Sequence, residues 1–338
     1  LNNIYMHNIN TDNYCNICQN KIIKISRTNK INGSTNFSWE SDSTFKLSKL
    51  ENAECFLGLC IRCFQTTIYP KFDTNLLYKA EGAETRRFFF EKYYPDKKYS
   101  QVRKLNDVKN IYEKMFNEFN RFKNSIDFIA LKTLTDNSND FTILDYGGSD
   151  GYIAKIFSLT IQAVSKQKVE IKIYDPSATH LKADQILSDS DFKKNQHKFN
   201  LVILSHIIEH THKPNEILSH AKKFLKPNGV IFCEIPDERQ NLIKAFILKK
   251  FGLNYHVTHH SKLSLLKLLS NANLKNINTK YINSHSYRGK KMRIILGVGQ
   301  NNENIINKKS NVFLLVNEIF SFFFMIPIII FNKIFKTN

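Results

Sequence analysis

Several absences narrow this 338-residue chain before any motif does. No arginine-rich block accompanies its formal charge of +19. The excess is lysine strewn among asparagine and isoleucine, the pattern an AT-rich coding bias leaves. A surface that grips nucleic acid gathers its cations on one face, so the charge is read as steering for small anions or toward an anionic membrane surface. Leu1-Asn-Asn-Ile-Tyr5 has neither a basic nor an apolar region, so no secretory leader is expected and the cytoplasm is the expected compartment. On that expectation the six cysteines argue against a disulfide framework. No G-x-G-x-x-G dinucleotide fingerprint and no H-E-x-x-H zinc motif occurs.

What is present starts with Thr142 to Tyr152, TILDYGGSDGY. Thr142–Asp145 reads as a buried strand entering a glycine turn, and a helix follows through Ile153-Ala-Lys-Ile-Phe157. Gly147, Gly148 and Gly151 let backbone approach a ligand where a Cβ would collide; Ser149 sits among them. The helix start offers N–H groups to an anion. Strand, glycine turn and helix together mark the ligand end of a doubly wound α/β sheet. Asp145, just before the turn, suits S-adenosylmethionine, whose amino-acid end is partly cationic and which carries no pyrophosphate. Asp175 closes the next strand, Glu170-Ile-Lys-Ile-Tyr174, and precedes Pro176. A carboxylate there is placed to accept both hydroxyls of an adenosyl ribose.

On these residues the chain resembles class I S-adenosylmethionine-dependent methyltransferases, whose first motif runs D-x-G-x-G-x-G, with Ser149 here at the middle glycine. Asp145-Tyr-Gly-Gly-Ser-Asp-Gly151 looks closer still to the DIGSNDG-type turn of bacterial sugar methyltransferases with an N-terminal zinc module. The resemblance implies a Rossmann-like, doubly wound, mostly parallel α/β sheet. Its cofactor residues would be Asp145, Gly147, Gly148, Ser149, Gly151, Asp175, Pro176 and Ser205. Strands are expected at 142–145, 170–174, 200–204 and 229–234. Two more, near 277–283 and 292–298, would form an antiparallel edge.

Cys15-x-x-Cys18 and Cys60-x-x-Cys63 are two knuckles able to present four thiolates to one Zn²⁺. The stretch between them is polar and too small to fold well alone, which is where a metal would matter. Four reduced structural thiols are the alternative. In the sugar methyltransferases the second pair sits in L-x-L-C-x-x-C-G-L-x-Q; Leu57-Gly-Leu-Cys-Ile-Arg-Cys-Phe-Gln65 is similar, with Phe64 in place of the glycine.

Two histidine-bearing stretches follow. The strand Phe199–Leu204 runs into Ser205-His-Ile-Ile-Glu-His210, then Thr211-His-Lys-Pro214, resembling the E-H and K-P that trail the fourth strand in methyltransferases. His206 is expected on the cofactor side; Glu209 and His210 read as structural or turn-orienting rather than catalytic. Asn254-Tyr-His-Val-Thr-His-His-Ser261 is similar to the family's H-x-x-H-F-S, matched by His256, His259 and Ser261, with His260 at the Phe. Imidazole titrates near neutrality and can take a hydroxyl proton. His256 is the first candidate base, followed by His206 and His259; a capping cluster headed by Ser261 is the alternative. Carbon-methylating relatives carry H-E-H-F-S, and Thr258 stands where their Glu would be, which favours oxygen.

The expected organisation is a zinc module over 1–70, a helical connector or lid over 71–135, the cofactor-binding domain over 136–300 and an apolar tail over 301–338. Within the connector, Asp107–Ile129 has apolar residues at helical spacing. The tail's FLLVNEIFSFFFMIPIIIF is interrupted by Asn317, Glu318 and Pro327 and flanked by lysines. It reads as an interfacial helix at the inner face of the cytoplasmic membrane, a dimer seam or a core helix. The implied activity is methylation of a sugar hydroxyl, nucleotide-linked or lipid-linked, for a surface polysaccharide. Two rivals are an rRNA or tRNA methyltransferase with a zinc knuckle, which lacks support from any N-P-P-Y-like motif, and a non-catalytic binding module on the same fold.

Overall fold

The computed structural model describes residues 14–28, 55–69, 140–148, 151–165, 167–175, 187–238, 256–285 and 291–301. The connector over 71–135, nearly all of the tail, Ser149 and Pro176 lie outside these.

Two sheets organise the described residues. The smaller opens with β1 (Ile23–Thr28), β2 (Cys55–Leu59) and β3 (Thr66–Tyr69), antiparallel neighbours in that order. The larger is built from β4 (Asp140–Tyr146), α1 (Tyr152–Ser165), β5 (Lys168–Tyr174), α2 (Asp189–Lys193), β6 (Phe199–Ser205), α3 (Pro214–Lys222) and β7 (Leu225–Pro236). Then come β8 (Thr258–His259), α4 (Lys262–Asn271), β9 (Lys275–His285) and β10 (Lys291–Gln300). The strand order is β5-β4-β6-β7-β10-β9. The first four strands are parallel, and β10 runs antiparallel to both β7 and β9. All six strands expected from the sequence are present, each a few residues longer at its ends. β8 does not join this sheet: it pairs with β3 and completes the smaller one.

The central strands are mostly apolar because both their faces are covered. Leu201, Val202, Ile203 and Leu204 of β6 are fully buried, as are Ile231 to Ile235 of β7. Each such aliphatic side chain contributes about 1.5–3 kcal/mol on leaving water. Register assigns the helices to faces. Phe232 stacks edge-on against Phe157 of α1, with ring centroids 5.1 Å apart. Its neighbour Cys233 pairs with Gly297, where an added Cβ would strike Leu265 of α4. Adjacent strand residues point to opposite faces, so α1 and α4 lie on opposite sides of the sheet.

β7 begins at Leu225, ahead of the strand expected from 229. Leu225 pairs with Phe199 and Val230 with Leu201, so the intervening residues bulge out, with Asn228 at φ 62°. No helix among the described residues is long and apolar enough to cross a membrane.

Candidate active site and cysteine cluster

The chain leaves β4 for β5 on one side and reaches β6 on the other, so the carboxyl ends of β4 and β6 form a topological switch point. The glycine turn sits there. Gly147 and Gly151 have φ of 74° and 73°, conformations that L side chains rarely adopt. The Gly147 N–H donates to the Tyr174 carbonyl at 2.6 Å, tying the turn to the end of β5. At Gly148 a Cβ would fall inside the Asp145 carboxyl. Asp145 is 1% exposed and accepts from Ala154 N at 3.3 Å, in the first turn of α1. Burial lifts its carboxyl to about 7; the Ala154 hydrogen bond opposes the rise and the nearby Asp175 charge adds to it. Asp145 therefore braces the turn from beneath, and Asp175, 5% exposed, ends the adjacent parallel strand. Ser205 lies at the end of β6, paired with Glu234.

His206 follows at φ 54°. Its Nδ1 meets Glu209 Oε1 at 3.0 Å and its Nε2 meets Glu234 Oε1 at 3.1 Å. Burial alone would lower its pKa, but the two carboxylates outweigh that and raise it to about 9. An imidazolium bonded at both nitrogens has no lone pair to accept a proton. The geometry holds His206 between two buried acids that favour its charged form.

A second carboxylate–imidazole group centres on Glu238, which sequence reasoning missed. Its Oε1 accepts from His256 Nδ1 at 2.8 Å, and its Oε2 lies 3.1 Å from His259 Nε2. Burial would raise the Glu238 pKa; the charges of His256 and His259 override it and hold the carboxyl down at about 2. As an ionised acceptor it favours a proton on Nδ1 of His256. The His256 ring stands edge-on to His210, centroids 4.8 Å apart. His259 also meets the His256 carbonyl at 3.1 Å, and burial lowers its pKa despite Glu238. His260 is enclosed and pushed down to about 4 by burial. Glu209, His210 and His256 bring ligand-type atoms within 4.8 Å of one another. Glu238 had one readable signal: it follows Glu234-Ile-Pro-Asp237 at the carboxyl end of a buried strand.

The four cysteines come together although 42 residues separate the pairs. All four Sγ atoms lie within 4.8 Å of one another, with contacts of 3.4 Å for Cys18–Cys60, 3.5 Å for Cys15–Cys63 and 3.7 Å for Cys18–Cys63. None is in a disulfide. A Zn–S bond of about 2.3 Å sets tetrahedral edges of about 3.8 Å, close to these separations. The knuckles are built alike: Cys15 N donates to Asn20 O and Cys60 N to Gln65 O, with Gln19 and Phe64 at φ 58° and 56°. Phe64 thus occupies a left-handed position, the physical reason a glycine suits it. Ile17 N and Asn20 Nδ2 point at sulfur, as donors to thiolates would. The Gln65 amide oxygen accepts from the Cys15 thiol, and its Nε2 is buried without a partner. Were Cys15 a thiolate, the flipped amide would donate to it through Nε2. Without a cation, hydrogen bonding among the sulfurs pulls Cys18 far down and pushes Cys63 far up.

A family description, "Methyltransferase domain", matches residues 111–279, half of the chain. The chain belongs to the methyltransferase-domain family. It is an S-adenosylmethionine-dependent methyltransferase, and the glycine turn at the switch point, with the Gly148–Asp145 packing a Cβ would destroy, fits that cofactor. Among relatives, the methyltransferase is 20% identical over 186 residues to a ubiquinone biosynthesis O-methyltransferase of Pelagibacter ubique, covering 54% of this chain and 73% of that one. A SAM-dependent methyltransferase structure from Methanosarcina mazei aligns with 49% of this chain and 94% of its own, at 14% identity and a TM-score of 0.38. One from Aquifex aeolicus aligns with 50% and 87%, at 13% identity and 0.33.

Proposed function

We propose that this methyltransferase methylates a hydroxyl of a nucleotide-linked or lipid-linked sugar destined for a surface polysaccharide, with His256 as the base. The observation that carries the acid–base half is the His256–Glu238 pair. S-adenosylmethionine supplies a methyl on a sulfonium, already an electrophile, so the protein's task is alignment and proton removal. Gly147, Gly148, Ser149 and Gly151 would hold the methionyl end, with Asp145 bracing the turn. Asp175 and Pro176 would take the ribose side, and Ser205 would face the cofactor from β6. As the acceptor oxygen gains the methyl, its proton passes to Nε2 of His256, and Glu238 stabilises the resulting imidazolium.

In this chain the carboxylate that meets His256 and His259 is Glu238. The residue at 258 therefore carries no weight on the acceptor atom, and the hydroxyl reading rests on the base and on the O-methyltransferase relative. We further propose that Cys15, Cys18, Cys60 and Cys63 bind one Zn²⁺, which would let all four sulfurs ionise together. The sugar reading draws on the resemblance of the glycine turn and of the second cysteine knuckle. The ubiquinone-pathway relative supports a second reading, a phenolic hydroxyl on a quinol-type ring. Mass spectrometry of cell glycans and quinones, with and without the intact gene, separates the two. Loss of one methyl's mass from a glycan is the expected result. An unaltered glycan beside an under-methylated quinone would replace the sugar reading.

A further inference from the structure

The cysteine cluster and the histidine segment are far apart in sequence, yet three independent linkages join them. Thr66 and Thr67 of β3 pair with His259 and Thr258 of β8, and Ile68 N donates to the Val257 carbonyl at 2.9 Å. Ser261 Oγ donates to the Cys63 carbonyl at 2.8 Å while accepting from Ser264 N at 3.0 Å, so the hydroxyl that heads α4 is anchored on the second knuckle. At the other end of α4, Asn271 Nδ2 donates to the Ile17 carbonyl of the first knuckle at 2.8 Å. β8 is also held to the turn that follows β6: Thr258 Oγ donates to the Ile208 carbonyl at 3.1 Å. β8 is only two residues long and makes few bonds of its own.

We propose that the cysteine cluster is the positioning device for the acceptor-side histidines: the closed knuckles fix Ser261 and β8, and so set where His256 and His259 meet Glu238. Ser261 is a positioning residue in this scheme. A two-residue strand with one paired edge keeps its register only while that edge and the Thr258 side-chain anchor both hold. A displacement of about 1 Å at a reacting group can cost about 100-fold in rate. The cluster would then act on the chemistry without touching cofactor or acceptor.

The acid–base role of His256 is the reading given above, but the positioning claim can be tested without turnover. The probes are full-length protein, zinc, a chelator and S-adenosylhomocysteine. After zinc removal, amides of residues 256–264 should exchange with deuterium about tenfold faster while those of β4 and β6 keep their rates. Calorimetric affinity for S-adenosylhomocysteine should stay within about twofold. Cys18→Ser should reproduce the loosening. Ser261→Ala should loosen the same segment with zinc content unchanged, and Ser261→Thr, which keeps the hydroxyl, should restore it. Unchanged exchange at 256–264 in both the zinc-free protein and Cys18→Ser overturns the proposal. So does equal loosening of every segment, which would make the cluster a staple for the whole fold. Failure of untreated protein to bind S-adenosylhomocysteine would instead count against the cofactor reading and leave this linkage standing.

Discussion

Two clusters of ligand-type side chains lie on either side of the β3–β8 pairing, and they handle buried charge in opposite ways. The cysteine cluster gathers four identical groups, which cannot all ionise unless a cation joins them. The histidine–glutamate cluster alternates signs: Glu234, His206 and Glu209 form one row, and His256, Glu238 and His259 another. Carboxylates there meet imidazoles rather than their own kind, so no outside cation is required. On the proposal above, the sulfurs hold shape and His256 takes the proton.

The sharpest way to break that contrast is to disable one member of each. Glu238→Gln should lower methyl incorporation into a glycan extract by about 1,000-fold, within the range a positioned base contributes, while cofactor affinity holds. An equal fall in calorimetric affinity would show that Glu238 serves the cofactor instead. Cys60→Ser should reduce zinc per chain from one to near zero by elemental analysis; retained zinc would place the metal elsewhere. Between the clusters and the cofactor stands Asp175. Asp175→Asn should weaken S-adenosylhomocysteine about 10- to 100-fold, the range for losing a charged hydrogen-bond acceptor. An unchanged Kd would remove it from the ribose site.

The smallest effect is a pH profile. His206 titrates at about 9 in the fold against an ordinary 6.5, so its contribution to stability is complete below 6.5 and is lost as pH rises through 9. His260 is the reverse, at about 4: its contribution is present above 6.5 and lost as pH falls through 4. Melting temperature should therefore decline on both sides of about pH 6.5, and His206→Gln should flatten the alkaline side relative to wild type. An unchanged alkaline slope would mean that His206 is not the group titrating.

Much of the fold was readable because the strands announce themselves. Ile143-Leu144, Leu201–Leu204 and Val230–Phe232 are apolar runs that only a sheet covered on both faces explains, and Gly147–Gly151 mark the turn after the first. The cysteine pairs were readable because a two-residue gap already sets two sulfurs around one point. The acid–base partner was not. Glu238 lies 18 positions before His256, with no spacing rule to connect them, and Thr258 was read only as favouring oxygen. His206 was read as a candidate base because sequence shows its imidazole but not the two carboxylates that hold it charged.

The sequence by itself determined which groups exist: a glycine turn flanked by Asp145 and Asp175, two sulfur knuckles, and two histidine-rich segments. Local spacing sufficed there, since turns and knuckles are set within a few residues by backbone sterics and hydrogen bonds. Only the tertiary structure decided which groups meet. Reading along the chain divides it at 70 and 136, yet β8, drawn from the later part, completes the sheet that carries the cysteines. Pairing between strands depends on which edges remain open once the core has packed, and that is a property of the folded chain.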